Sequence, residues 1–240
     1  MNTTDKHFET LSIHAGGEDR NPKNALNYPI FMTSTFEFDS LEHADATFGF
    51  ETQDYVYTRG NNPTLKVLEE RMAVLEGGAA SVAFASGMAA ISSVLMSLLK
   101  PGDEVVAHRM LYGSAWNFIK NILPRYGVAS RLVDLTSIVD LADQITARTK
   151  VVYLETPVNP SLEIIDIAAV CDIARAKGAK VVVDNTFATP FFQRPLELGA
   201  DVVVHSATKY ISGHGDVIAG IAVAKDKDYA SELKFGYMCE

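Results

Sequence analysis

Two cysteines in 240 residues are too few to staple a fold. Cys171 lies inside a helical pattern and Cys239 beside the end of the chain, so no disulfide framework is expected and a reducing cytoplasm is the expected setting. Long apolar runs are missing too. No stretch approaches the length of a membrane span, and the opening MNTTDKHFET lacks the apolar core of a signal peptide. Positive charge is in deficit: 21 Lys and Arg against 30 Asp and Glu leave a net charge of −9, which argues against nucleic acid or an anionic membrane as a partner. Neither a GxGxxG nor a Walker A pattern occurs, which disfavours the familiar dinucleotide and ATP loops. His205, His214 and Asp216 do not have the spacing of a zinc site, so no metal is expected.

What is present is apolar and patterned. A hydrophobic content of 48% is ample for a buried core. Residues 1–60 show weak periodicity and scattered aromatics (Tyr28, Phe31, Phe36, Phe38, Phe48), the composition of an arm that packs on a partner subunit or of an ordinary irregular segment. From Asn62 the pattern changes. Asn62-Pro63 reads as a cap and first turn, apolar residues at helical spacing run through 64–76, and Gly77-Gly78 stops the helix. A short apolar run at 81–85, a break at Ser86-Gly87 and a second apolar helix to residue 99 follow. Valine-rich strands are then expected at 104–107, 130–133, 151–155, 180–184, 201–205 and 218–223. Helices are expected at 114–123, 138–147 and 167–176. Such alternation predicts an α/β domain over 61–240: a mostly parallel sheet with helices on both faces and ligands at the C-terminal strand ends.

Chemistry concentrates around Lys209, in the run His205-Ser206-Ala207-Thr208-Lys209-Tyr210. A loop lysine is ordinarily solvated. Here small hydroxyl residues, Ser206 and Thr208, flank it, and a strand-end carboxylate, Asp184, lies upstream. Alone, Asp184 would read as a turn former. Together the three elements suit pyridoxal phosphate (PLP): the amine forms a Schiff base, the hydroxyls hold the phosphate and the carboxylate pairs with the ring nitrogen. Ser86, Gly87 and Met88, between a strand and a helix, offer backbone N–H groups and a helix dipole to an anion. Tyr112 is either a core tyrosine or, given such a ring, a stacking partner. Tyr57 and Arg59 are candidates for phosphate contacts or simply exposed arm residues.

With these motifs in view, the sequence resembles the Cys/Met-metabolism (trans-sulfuration) family of PLP enzymes. The motifs occur in order: Tyr57-Thr58-Arg59-Gly60-Asn61-Asn62-Pro63, Ala85-Ser86-Gly87-Met88, Leu111-Tyr112-Gly113, Glu155-Thr156-Pro157-Val158-Asn159-Pro160, Asp184-Asn185-Thr186 and the Lys209 run. The resemblance implies a fold type I (aspartate-aminotransferase-like) architecture and a homotetramer of two active dimers. It implies that Lys209 carries the cofactor, that Gly87, Met88, Ser206 and Thr208 bind its phosphate, and that Asp184 meets the ring nitrogen. Tyr112 would stack on the ring and assist at the substrate γ-position, Asn159 would lie near the ring oxygen, and Tyr57 and Arg59 would reach the neighbouring subunit's phosphate. The implied reaction is elimination or replacement at the γ-carbon of a sulfur amino acid or homoserine derivative. Gly213-His214-Gly215-Asp216 resembles the methionine γ-lyase branch, whereas Ser114 stands where that branch usually has cysteine, which keeps cystathionine and homoserine-ester chemistry open. The family normally adds a small C-terminal domain whose arginine holds the substrate carboxylate, and no residue here maps onto it. The expectation is therefore either a fragment of a longer enzyme or a truncated, catalytically impaired cofactor binder.

Overall fold

The computed structural model describes residues 6–17, 24–49, 51–52, 54–139 and 141–237. Two helices, α1 (Phe8–His14) and α2 (Leu41–Phe48), stand in the N-terminal segment. Ser40 caps α2 by accepting the His43 N–H at 3.1 Å. The segment is tied along α3 (Pro63–Glu76): Arg71 Nε donates to the Ala15 carbonyl, and the Phe31 N–H donates to Thr64 Oγ1. α3 begins and ends as its sequence predicts. Asn62 Oδ1 accepts the Thr64 N–H at 2.8 Å, and Gly77 closes the helix at φ +70°.

The remaining elements follow in the order β1 (Ala80–Phe84), α4 (Gly87–Leu98), β2 (Glu104–His108), α5 (Gly113–Asn117), β3 (Ala129–Val133), α6 (Leu141–Gln144), β4 (Thr149–Glu155), α7 (Ile167–Ala176), β5 (Lys180–Asp184), α8 (Thr189–Phe192), β6 (Val202–Ser206), β7 (Gly220–Ala224) and α9 (Lys227–Tyr237). They build one seven-stranded sheet in the order β1-β7-β6-β5-β4-β2-β3. β7 is antiparallel to both β1 and β6, and the other pairs are parallel, so six strands point one way.

Both faces of this sheet are buried, which is why its strands read as continuous valine runs. Val181, Val183 and Val203 pack on one side with Met72 and Leu75 of α3 and Val170 and Ala174 of α7. Val182, Val202 and Val204 point the other way, to Ile91, Val94 and Leu95 of α4.

Two expected helices change on folding. The 114–123 helix is α5 continued by a wide turn (Phe118–Ile122) and a tight one (Leu123–Tyr126), where Pro124 withdraws an N–H from the ladder. The 138–147 helix shrinks to α6. Ile138 and Val139 are exposed at its start, and near its end Thr146 turns its hydroxyl to Glu104 Oε1 at 3.1 Å. β7 starts at Gly220, two residues later than the sequence suggests, and Ile218 is left in an exposed loop.

Candidate active site

At the C-terminal ends of the parallel strands lies a cavity of about 400 Å³, lined by segments from five connections. Ser86, Gly87 and Met88 come from β1–α4, Tyr112 from β2–α5, and Glu155, Pro157 and Asn159 from the end of β4 and its following loop. Asp184, Thr186 and Phe187 follow β5, and Ser206, Thr208 and Lys209 follow β6. Nine of the eleven residues singled out from the sequence meet here.

The anion end is built by close approach. Ser86 Oγ takes the Ala89 N–H at 3.0 Å, which leaves the first-turn N–H groups of Gly87 and Met88 without an intrahelical acceptor. A methyl group on Gly87 would stand 2.7 Å from Ser206 Cβ, and one on Gly220 would stand 2.0 Å from the Ser86 carbonyl oxygen. Only residues without side chains let the start of α4 lie against the ends of β6 and β7. The Ser206 N–H donates to Thr186 Oγ1 at 2.8 Å. Thr208 Oγ1 accepts the Ala219 N–H at 3.1 Å, which pins the turn that carries the exposed Lys209 into the cavity.

The floor is acidic. Glu155 and Asp184 are register neighbours on β4 and β5. Asp184 is 7% exposed, and its Oδ1 accepts both the N–H and the hydroxyl of Thr186, while Oδ2 has only Tyr153 Oη at 3.4 Å. Burial pushes its carboxyl up from the ordinary range against the pull of the Thr186 bonds. Burial, and then the charge of Asp184, push the Glu155 carboxyl up to about 7. Burial likewise drives the Tyr153 phenol well above its usual value. Two carboxylates this poorly solvated favour a cation beside them.

Beneath the Lys209 turn a second buried pair is structural. His205 Nε2 lies 2.6 Å from Glu76 Oε1, which also accepts from Asn185 Nδ2 at 2.8 Å. His205 is thus bound to the end of α3 and buried, whereas His214 is exposed, and among the described residues no cluster of His, Cys, Asp or Glu could hold a metal ion. Cys171 is buried and unpaired in α7, and Cys239 lies outside the described residues.

Tyr57 and Arg59 do not join the cavity. They line a separate groove of about 900 Å³ between the N-terminal segment and α9, with the Arg59 guanidinium 5.7 Å from the Tyr57 ring centre. Glu155 and Thr186 were not singled out from the sequence, although both stand in the quoted motifs. The signal for Glu155 was an acidic residue at a strand end, the same signal that marked Asp184.

The sequence profile of the Cys/Met metabolism PLP-dependent enzyme family matches residues 9–238. The chain belongs to this family. Its cofactor is accordingly pyridoxal 5′-phosphate, and its α/β architecture is that of the fold type I PLP enzymes. L-methionine γ-lyase of Pseudomonas putida is 50% identical over 216 residues, which are 90% of this chain and 54% of that protein. Cystathionine β-lyase of Lactococcus lactis subsp. cremoris is 41% identical over 228 residues, 95% of this chain and 58% of that protein. The crystal structure of metB from Corynebacterium glutamicum superposes with a TM-score of 0.92 at 39% identity, covering all of this chain and 60% of the other. The chain thus spans little more than half the length of the curated relatives it matches. The cavity suits the cofactor of the family: open N–H groups at a helix start for a phosphate, a buried carboxylate for a ring cation, and a lysine in the same lining.

Proposed function

We propose that this chain carries the cofactor half of an enzyme that eliminates or replaces the γ-substituent of sulfur amino acids or homoserine derivatives, in the manner of a methionine γ-lyase. The observation that carries the reading is Asp184, a carboxylate buried at a strand end, with the start of α4 and Lys209 lining the same cavity of about 400 Å³. The backbone N–H groups of Gly87 and Met88, with Ser86, Ser206 and Thr208, hold the phosphate. Asp184 would pair with the ring nitrogen and keep it protonated, Asn159 would serve the ring oxygen, and Tyr112 would serve the ring face. When bound, PLP supplies an electron sink for charge released at the substrate's α- and β-carbons. Lys209 is the covalent anchor of the cofactor, and its freed Nζ takes and returns the α-proton. The Tyr112 hydroxyl moves a proton at the γ-leaving group.

A methionine substrate would give methanethiol, 2-oxobutanoate and ammonia. The 50% identity to a methionine γ-lyase favours this branch, while Ser114, two residues after Tyr112, keeps cystathionine and homoserine-ester substrates open. Residues 1–60 serve as an arm whose Tyr57 and Arg59 reach the phosphate of a neighbouring copy, in a dimer of dimers. Their separation from the Lys209 cavity and the exposed apolar groups of the arm, among them Ile30 and Met32, support that reading.

Adding PLP to the purified chain should give a visible band that borohydride bleaches, with the reduced pyridoxyl mass on Lys209. A folded chain with no band, or with the mass on another lysine, would overturn the assignment.

A further inference from the structure

Glu155 holds two loops at once. Its carboxylate accepts the Tyr112 N–H at 3.0 Å (Oε1) and 3.1 Å (Oε2), and the Asn159 N–H at 2.7 Å (Oε1). Tyr112 follows β2 and Asn159 follows β4, so one side chain joins the two connections that flank the cavity on that side. The Tyr112 carbonyl accepts the Trp116 N–H and the loop after β4 is closed at Val158, but Glu155 is the acceptor for the N–H groups of Tyr112 and Asn159 themselves. Tyr112 is 47% exposed and precedes a helix of only five residues without a side-chain cap, and Gly113 has open space where a side chain would stand. Asn159 lies in a stretch without regular structure, followed by exposed Pro160, Ser161 and Leu162.

We propose that Glu155 is the positioning residue of this site: its carboxylate sets the backbone of Tyr112 and of Asn159 together, and so fixes the ring face and the ring-oxygen contact in one frame. The inference rests on the roles given to Tyr112 and Asn159 under the proposed function. A charged acceptor makes stronger bonds to N–H groups than a neutral one. Glu155 is moreover the register neighbour of Asp184, so the frame that carries Tyr112 and Asn159 is built directly on the strand pair that presents the ring-nitrogen carboxylate. Tyr153 on β4, His205 on β6 and Lys209 after β6 are the other titratable groups around this pair among the described residues.

The test compares E155A and E155Q with the unaltered 240-residue chain, first without cofactor. In E155A the amide hydrogens of Tyr112 and Asn159 should exchange about tenfold faster or more, the loss of one buried hydrogen bond each, while those of β2 and β5 keep their protection. E155Q retains an acceptor oxygen and should restore protection to within about threefold. With PLP attached at Lys209, E155A should lose more than half of the visible circular dichroism of the cofactor. Y112A should lose a similar share, and the double variant no more, as expected for residues that act through one another. Unchanged exchange in a folded E155A, or losses that add in the double variant, would overturn the inference. Failure of the unaltered chain to attach PLP would overturn the proposed function instead, and the exchange rates would still decide whether Glu155 holds the two loops.

Discussion

A carboxyl group that titrates near neutrality at the bottom of a cavity makes the whole chain sensitive to pH. The Glu155 carboxyl has an ordinary value of 4.5 and is held at about 7 in the fold, by burial first and by Asp184 second. Between these values the folded chain binds more protons than the unfolded one, so stability falls as pH rises. The contribution is fully present below about pH 4.5 and is lost as pH passes through about 7. At about 1.4 kcal/mol per unit it amounts to about 3 kcal/mol at most, since Asp184 shares the same interaction. In the cofactor-free chain, Tm should therefore drop between pH 5.5 and 8, by roughly 2–4 °C per kcal/mol. The drop should be smaller in E155Q, whose amide does not titrate. Equal slopes for the two proteins in thermal melts would show that Glu155 is ionised throughout the range.

At the scale of elements, the decisive contact is that of the α4 start with the ends of β6 and β7. Gly87 has no room for a side chain, because a Cβ would sit 2.7 Å from Ser206 Cβ and 2.9 Å from Ser206 Cα. Backbone cannot yield to such a group as a flexible side chain would. Gly87→Ala should push the helix start away from Ser206 and spread the N–H groups of residues 87 and 88 from the hydroxyls of 206 and 208. Overpacking of this kind costs about 1–3 kcal/mol. Titration should show a weakening of PLP binding by at least about tenfold, with the far-ultraviolet spectrum unchanged. A variant that binds PLP as before would mean that the phosphate lies elsewhere. This contact also marks what could be read from the sequence. The Ser86-Gly87 break was legible as a strand-to-helix junction, but such glycines are common, and only the Lys209 run and Asp184 gave it weight as an anion site. The valine runs were legible because both faces of the sheet are covered. The helix over 138–147 was not, because Leu141 and Ile145 are buried at helical spacing although the helix between them ends at Gln144 after a single turn. Glu155 was passed over because a strand-end acid has no visible partner until β2 and β4 are adjacent.

For the whole molecule, the question is why two residues of the cofactor motif lie apart from the rest. Tyr57 and Arg59 line the groove beside α9, whereas Lys209 and Asp184 line the cavity at the strand ends. If the arm completes the site of a neighbouring copy, as proposed, each site needs Lys209 from one chain and Arg59 from another. The two defects K209A and R59A are then separable. Each variant alone should retain little PLP at limiting concentration, K209A for want of the amine and R59A for want of the phosphate contact. Co-refolding the two in equal amounts should form mixed pairs in which one site has both residues intact. With random pairing about a quarter of all sites are restored. Reduced pyridoxyl on Lys209, counted by mass after borohydride, should reach that share of the unaltered protein's yield. No recovery, with mixed pairs confirmed by mass, would place Arg59 in the service of its own chain and confine the arm to packing along α3.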